Sequence, residues 1–161
     1  MVHLIPTAGF GGVLVDPAGT CIAHFGFVLH GDDLSRLNPS VKQTIIHECA
    51  FLAVAIAIRL WKDRVAARQV VSFMDNNAVR DSLISGKASG RVTNRILELV
   101  FENETRHCLL MWFARVPSKS NIADDPSRGC FSLLDRLGST KVDVNIQQWL
   151  DLVVPKGSGG S

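Results

Sequence analysis

The segment from Thr44 to Trp61, TIIHECAFLAVAIAIRLW, constrains the fold more than any other part of the chain. It contains no Gly or Pro, it is too long for one strand, and helix-forming residues fill its middle, so it predicts a helix over 44–62. Apolar residues occur on every side of this helix, as in a membrane span or a helix buried in a globular domain. Because the uncharged run from Cys49 to Ile58 is too short to cross a bilayer, the segment predicts a buried central helix.

One carboxylate, Glu48, lies near the start of this helix. A buried charge without a partner is unfavourable, so a glutamate in a buried helix calls for a partner or a metal ion. The simpler alternative places Glu48 at a solvated edge of the helix, where its carboxylate needs neither. The helix alone leaves both interpretations open.

The whole chain has the length and composition of one globular domain. Its 161 residues, 47% of them hydrophobic, are enough to bury a substantial core, and the domain is expected to span residues 1–154. Residues 155–161 end in GSGGS, which is the composition of a flexible linker or tag. A net charge of +2 without a basic run argues neither for nor against a nucleic-acid partner.

Cysteine spacing and the N-terminus exclude several classes of protein. The four cysteines show no CxxC or Cys/His ligand spacing, which argues against a zinc site and against a disulfide framework. The N-terminal residues have neither a basic region nor a long apolar run, so no signal peptide is recognised. An intracellular protein that does not enter a membrane is therefore expected.

Periodicity and turn residues divide the rest of the chain into strands and helices. Strands at 12–15 and 21–29 predict an antiparallel hairpin, and 31–40 is predicted to be a polar loop. The other predicted elements are strands at 2–5, 69–74 and 109–113, and helices at 78–84, 91–106, 122–128 and 144–153. This order indicates a mixed α/β fold in which helical crossovers join parallel strands to the hairpin.

Two further acids occupy positions that suit metal binding. Asp75 follows the strand 69–74, at the carboxyl end where open α/β sheets place their ligands, and Asp124 follows the loop after the last predicted strand. Carboxylate oxygens are the ligands that Mg²⁺ prefers, and two such ions can polarise a phosphodiester and activate a water for its hydrolysis. Taken singly, Asp75 and Asp124 each have a simpler interpretation as helix caps.

Three segments together resemble the ribonuclease H domains of retroelement reverse transcriptases. They are TIIHECAFLAVAIAIRLW around Glu48, VVSFMDNNAVRDSLISG around Asp75 and RVPSKSNIADDPSRG around Asp124. The pattern N-x-A-D-x-x-S-R after a strand and a basic loop is the most specific of them, and the GGVL strand of the hairpin resembles the family's second strand. The resemblance covers about residues 8–129, and it implies a ribonuclease H-like mixed sheet with an antiparallel hairpin and helices on both faces.

The resemblance also implies an activity, a cofactor and partners. The family cleaves the RNA strand of an RNA–DNA hybrid with two Mg²⁺ or Mn²⁺ ions, as part of a larger reverse transcriptase polyprotein. Glu48, Asp75 and Asp124 match its second, third and fourth metal-binding acids, and Asp124 is preferred over Asp125 because it directly follows Ala123. The three carboxylates are therefore expected to converge on one divalent ion. The strand 69–74 is expected to lie beside the strand that precedes the hairpin.

Four polar residues near the acids are candidates for substrate binding. Asn76 and Asn77 would contact a nucleic-acid backbone or sugar, or would simply begin a helix. Lys119 and Arg128 would meet phosphates, although exposed cations usually have no special role. The aromatic residues, Trp112 among them, fall within apolar runs and are predicted to lie in the core rather than to stack on bases.

One part of the family's pattern is missing. An Asp should precede the Gly-rich hairpin, but residues 1–12 contain no Asp or Glu. Asp16 lies in the turn after the GGVL strand and cannot replace it, and His3 would be a poor ligand in an all-oxygen magnesium site.

Two explanations of this missing acid lead to different functions. Either the sequence begins after the acid-bearing strand, or the domain has lost the acid and is no longer a nuclease. The first gives a metal-dependent nuclease domain, and the second gives an inactive module that binds nucleic acid or has a structural role. Another nuclease of the same fold, such as an integrase or a junction resolvase, is a weaker third alternative, because the N-x-A-D-x-x-S-R match argues against it.

Overall fold

The computed structural model of the protein describes residues 7–37 and 46–154. The predicted strand at 2–5, the first two residues of the predicted central helix and the tail 155–161 lie outside the described residues. The described part has the mixed α/β architecture that the sequence predicts. None of the helices in these two ranges is both long enough and apolar enough to cross a lipid bilayer.

The predicted N-terminal hairpin is present, and both of its strands are longer than the sequence indicates. β1 (Thr7–Val15) pairs antiparallel with β2 (Cys21–His30). The turn between them is held by Asp16, whose Oδ1 accepts hydrogen bonds from the amides of Ala18 and Thr20 at 3.0 and 2.8 Å. An aspartate whose side chain accepts hydrogen bonds from the backbone amides of the residues that follow it stabilises such a turn.

The strands of the described residues form two separate sheets. β3 (Gln69–Met74) pairs in parallel with β4 (Leu110–Arg115), as strands joined by a helical crossover do. β5 (Thr140–Lys141), which the sequence pattern does not indicate, pairs in parallel with β2. Within the described residues β3 pairs only with β4. The predicted pairing of β3 with a strand ahead of the hairpin stays a prediction, because residues 1–6 lie outside the described residues.

The predicted loop at 31–40 is wrong in its first half. These residues form α1 (Asp32–Leu37), because Leu34 and Leu37 lie on one face and are both buried. Asp32 and Asp33 also place negative charge in the first turn, which favours a helix there. Two leucines are too few to give a readable apolar period, so the segment looks like a polar loop.

The longer helices lie close to their predicted positions. α2 (Ile46–Leu60) is the described part of the central helix, and α3 (Lys62–Val65) follows it after one residue. α4 (Asn77–Ser85) follows β3 and ends at Gly86, whose φ of 72° is left-handed and suits glycine. α5 (Arg91–Arg106) has the predicted bounds.

Beyond β4 the helices are short. α6 (Asp124–Ser127) is shorter than the predicted helix at 122–128, and α7 (Ser132–Arg136) is not predicted. α8 (Ile146–Val153) lies within the predicted helix at 144–153. Asn145 caps α8, since its side chain accepts a hydrogen bond from the Gln148 amide at 3.3 Å.

α2 is the centre of the core. It packs against β1 and against α5, and both Leu52 and Ile56 are fully buried. Trp61 follows α2 and is also buried, with its ring centroid 5.5 Å from that of Phe25 on β2. The prediction of a buried central helix is confirmed.

The prediction that the aromatic residues are core residues is wrong for Phe73 and Trp112, which are 64% and 61% exposed. Alternate residues of a strand point to opposite faces of a sheet. Together with exposed Val71 and Leu110, these two side chains cover the face of β3–β4 that points away from the core. We call these four residues the outer apolar face.

Candidate metal and nucleic-acid site

The start of α2 and the carboxyl end of β3 meet in the folded chain. His47, in the first turn of α2, has its Nδ1 atom 3.4 Å from Nδ2 of Asn76. Glu48 follows His47 and Asp75 precedes Asn76, so the immediate neighbours of two predicted ligands contact each other. The Met74 carbonyl, just before Asp75, accepts a hydrogen bond from the amide of residue 116 at 2.9 Å, which keeps the ends of β3 and β4 aligned.

Glu48 carries an unusual buried atom. Its side chain is partly buried, and its Oε2 atom is fully buried without a hydrogen-bond partner among the described residues. A buried carboxylate oxygen without a donor is unfavourable, and a divalent cation is the ligand class that best satisfies it. This orphaned oxygen fits the predicted use of Glu48 as a metal ligand, and it argues against the alternative of a fully solvated helix edge.

The pKa of the neighbouring Cys49 thiol reflects both the burial of this region and the charge of Glu48. Burial of the thiol, followed by the nearby charge of Glu48, raises the pKa of Cys49 to about 12. The thiol therefore stays protonated at neutral pH. Burial and the raised pKa of Cys49 both argue against a nucleophilic cysteine at the start of α2, because the reactive species is the thiolate.

Asp75 does not cap the helix that follows it. Asn76 is the N-cap of α4, and its Oδ1 accepts a hydrogen bond from the Val79 amide at 3.1 Å. Asn77 is the first residue of α4 and is exposed. The interpretation of Asp75 as a helix cap is thus wrong, because Asn76 is the cap. The expectation that a helix begins at Asn76 and Asn77 is confirmed.

Asp124 is the first residue of α6, and its side chain does not cap the helix. The N-cap is Ala123, without a side-chain bond. Asp124 Oδ2 lies 3.2 Å from Nε of Arg128, one turn later on the same side of the helix. Both side chains are substantially exposed, so this ion pair contributes little stability. It does place a cation against the carboxylate of Asp124.

A cavity of about 350 Å³ lies beside Asp124. Lys119 belongs to a one-turn 3-10 helix at Ser118–Ser120, and it lines this cavity together with Asp124 and Leu133. The cavity thus combines a lysine with carboxylates and small polar groups. Its lining includes neither Glu48 nor Asp75.

Three glycines determine where α6 lies. Gly9 and Gly11 of β1 and Gly26 of β2 face α6, and we call them the glycine seat. A Cβ atom at Gly11 would lie 2.9 Å from the Ser127 amide nitrogen, and one at Gly9 or Gly26 would overlap a carbonyl oxygen of α6. The backbone of α6 therefore rests directly on the hairpin, which fixes the position of Asp124.

The three acids do not form one ligand set in this arrangement. Within residues 7–37 and 46–154, no three His, Cys, Asp or Glu side chains form a group that could hold a metal ion. The structure brings the surroundings of Glu48 and Asp75 together and places Asp124 beside a separate cavity. The joint role of the three acids as ligands stays a prediction.

Sequence reasoning missed two features of this region. The glycine seat has a readable signal, because Gly9 and Gly11 are two residues apart and a strand directs such residues to one face. The contact of His47 with Asn76 has no local signal, since it joins side chains 29 positions apart in sequence.

Comparison with known proteins supports the fold. No protein-family model and no curated protein matches this chain. A solved structure does: the crystal structure of RNase H1 from the halophilic archaeon Halobacterium salinarum NRC-1 superimposes with a TM-score of 0.58 and 19% sequence identity. The match covers 81% of this chain and 89% of that one. The chain therefore has a ribonuclease H-like fold.

Proposed function

We propose that this chain is a ribonuclease H-like nuclease domain of a retroelement reverse transcriptase, or a piece of one, and that the complete domain hydrolyses the RNA strand of an RNA–DNA hybrid with Mg²⁺ or Mn²⁺. The observation that carries the proposal is the buried Oε2 atom of Glu48, which has no hydrogen-bond partner in the described part of the chain. Glu48 directly follows His47, whose Nδ1 atom lies 3.4 Å from Nδ2 of Asn76, the residue after Asp75. The resemblance of the three acidic segments supports the same assignment.

The three acids and the two candidate cations each have a chemical role in this proposal. When bound, divalent ions supply Lewis-acid polarisation of the phosphodiester and a water of lowered pKa. Glu48, Asp75 and Asp124 would hold the ions through carboxylate oxygens. Arg128 would move from the Asp124 carboxylate to a phosphate when Asp124 binds metal. Lys119 would meet a phosphate of the hybrid from the cavity loop.

A second candidate function is an inactive ribonuclease H-like module that binds nucleic acid or has a structural role. It is favoured by one observation, the absence of any Asp or Glu from residues 1–12. Without the expected first acid, at least one ion would be held weakly and in poor geometry. Small displacements of reacting groups can reduce a rate on the order of 100-fold. The chain by itself is therefore expected to cleave a hybrid feebly or not at all.

A metal titration tests the binding site. A ligand that binds only the folded state raises the melting temperature, so millimolar Mn²⁺ should stabilise the protein. Asp75→Asn should abolish this gain. The exposed Asp63→Asn, which changes the net charge equally, should keep it. A melting curve that manganese leaves unchanged would count against a metal site.

A cleavage assay separates the two candidate functions. A labelled RNA–DNA hybrid is incubated with the chain and with a version in which an Asp-bearing strand is fused ahead of the hairpin. Recovery of metal-dependent cleavage in the fused version, and its loss on Glu48→Gln, would support the nuclease. If the fused version folds and remains inactive, the inactive module is the better description. If the chain alone cleaves at an ordinary enzymatic rate, the missing ligand is provided elsewhere.

A further inference from the structure

His24 is a buried histidine on β2, away from the candidate acids. Its side chain is 0% exposed, and its ring centroid lies 5.7 Å from that of Phe131. Nδ1 lies 2.8 Å from Oγ of Ser139. Nε2 has no hydrogen-bond partner in the described part of the chain, and the nearest carboxylate oxygen, Oδ1 of Asp135, is 3.8 Å away.

These contacts all reach one segment of the chain. Residues 131–142 contain α7 and β5, and we call them the clamp segment. β5 is only two residues long, with Lys141 opposite His24. The Val142 amide donates a hydrogen bond to the His24 carbonyl at 2.8 Å. Both the backbone and the ring of His24 therefore fasten the clamp segment to β2.

The clamp segment begins shortly after α6 and so limits the freedom of that helix. α6 rests on the glycine seat through Pro126 and Ser127, and residue 131 contacts His24 a few residues later. Gly26 and His24 are two apart on β2, so they lie on the same face of the hairpin. His24 thus anchors the chain just C-terminal to the helix that begins with Asp124.

We infer that His24 is a pH-sensitive positioning residue, whose neutral ring holds the clamp segment on the hairpin next to α6 and whose protonated ring releases that segment. The connection to Asp124 rests on the proposed function. The clamp itself does not, because its order can be measured without metal or nucleic acid.

The hydrogen-bond pattern explains why the neutral form is the clamped one. In the tautomer with hydrogen on Nε2, Nδ1 accepts a hydrogen bond from the Ser139 hydroxyl and the Nε2–H group points towards Asp135. Protonation places a hydrogen on both nitrogens, so the Ser139 hydroxyl must reverse its role, and a full charge is created in a fully buried ring.

The charged groups around His24 act in opposite directions. Burial lowers the pKa of His24 below its usual value, Asp135 of α7 opposes this effect and Lys141 of β5 adds to it. The residue opposite His24 on β1 is Val13, which contributes no charge. A released ring would regain its ordinary pKa of about 6.5, so the released state binds a proton more readily than the clamped one. The clamp is therefore complete above that pH and weakens as the pH falls below it.

Two exposed positions allow a matched test. The ring titration of His24 is followed by NMR, and amide exchange within 139–142 is compared with exchange in α5 at each pH to cancel the intrinsic pH dependence of exchange. Asp135→Asn should lower the pH midpoint of the His24 titration and increase the rise in amide exchange of 139–142 at acid pH. Lys141→Gln should raise the midpoint of the His24 titration and reduce the rise in amide exchange. Each unit of difference between the clamped and released pKa corresponds to about a tenfold change in the released population.

A third variant removes the titration. Gln at position 24 can bond to Ser139 without taking up a proton, so His24→Gln should make relative exchange in 139–142 independent of pH. If this variant fails to fold, the two charge variants still decide. Midpoints that move in the same direction in both, or a ring that titrates without any loosening, would overturn the clamp.

The clamp and the proposed nuclease function can be tested separately. If the fused version cleaves the hybrid, its cleavage rate can be measured as a function of pH. Asp135→Asn and Lys141→Gln should then shift the fall of this rate at acid pH (the acid limb) in opposite directions, which would support the link to Asp124. An acid limb that neither variant moves would overturn that link. Exchange measured on the chain alone reports on the clamp whether or not any cleavage occurs.

Discussion

At the scale of single residues, the most informative group is the Glu48 carboxylate. An amphipathic surface helix can carry a glutamate at almost no free-energy cost, because water satisfies both oxygens. α2 is instead packed on β1 and α5, and one of the two oxygens of Glu48 is buried without a donor among residues 7–37 and 46–154. A chain selected only for stability would replace such a group, which is why the atom points to a ligand.

We therefore expect Glu48→Gln to stabilise the metal-free protein. The substitution removes a charge whose oxygen lacks a donor, so the free energy of unfolding should rise by on the order of 1 kcal/mol. Chemical denaturation in a chelator measures it, and the added stability from Mn²⁺ should disappear in the same variant. Glu98→Gln, on an exposed side chain that forms an ion pair with Arg95, is the control and should change little. A clearly destabilised Glu48→Gln would mean that the carboxylate already has a partner.

The four cysteines should divide into two kinetic classes with a thiol reagent. Cys108 and Cys130 are exposed, whereas Cys21 and Cys49 are buried. Burial and the Glu48 charge raise the pKa of Cys49 to about 12, so its thiolate is negligible at neutral pH. Two thiols should react quickly in the native protein and all four in denaturant. With Cys108→Ser and Cys130→Ser combined, the fast phase should vanish, and a fast phase that persists would contradict the burial of Cys21 or Cys49.

At the scale of elements, the local sequence pattern predicts a helix and its bounds correctly where one face of the helix is apolar over several turns. α5 has its predicted bounds because Ile96 and Val100, four apart, are fully buried on one stripe. α1, α7 and β5 were not predictable in this way. They are short, and tertiary contacts hold them, such as the bond of Ser139 to His24 beside β5.

The sequence suggests which residues form the candidate site, but it does not give their arrangement. Strand ends and sequence motifs suggest Asp75 and Asp124 as ligands, whereas the cap of α4 is Asn76 and not Asp75 as the sequence also allowed. The distance between α2 and β3, the partner of Arg128 and the cavity beside Lys119 depend on packing between distant segments. Local periodicity contains no information on these contacts.

The glycine seat gives a prediction about α6. Gly26→Ala should weaken the packing of α6, because the added methyl group overlaps the carbonyl of Pro126. Overpacking of this kind typically costs about 1–3 kcal/mol. Gly19→Ala is the control: its added Cβ meets no atom, and only its φ of 86° is unfavourable.

Limited proteolysis and amide exchange distinguish the two glycine variants. Gly26→Ala should increase exchange in residues 124–130, next to the displaced helix. Gly19→Ala should lower the global stability without a selective effect there. Equal exchange in 124–130 for both variants would show that α6 does not depend on close contact with the hairpin.

At the scale of the whole molecule, one core supports two sheets. The described strands leave one edge of β1 and one edge of β3 without a pairing partner within the described residues. The outer apolar face adds exposed aromatic surface to the β3–β4 sheet. Unpaired strand edges and large exposed apolar patches both promote association between protein molecules.

The outer apolar face should therefore make the protein self-associate, and Phe73→Thr should reduce this tendency. Phe73 is 64% exposed, so its replacement by another good strand former should change the free energy of unfolding by no more than about 0.5 kcal/mol. Ile84→Thr is the matched control, because Ile84 is 63% exposed but belongs to α4 and not to the sheet. Sedimentation velocity over a range of concentrations should show weaker association for Phe73→Thr only. Equal behaviour of the two variants would mean that general surface hydrophobicity, and not the outer apolar face, determines association.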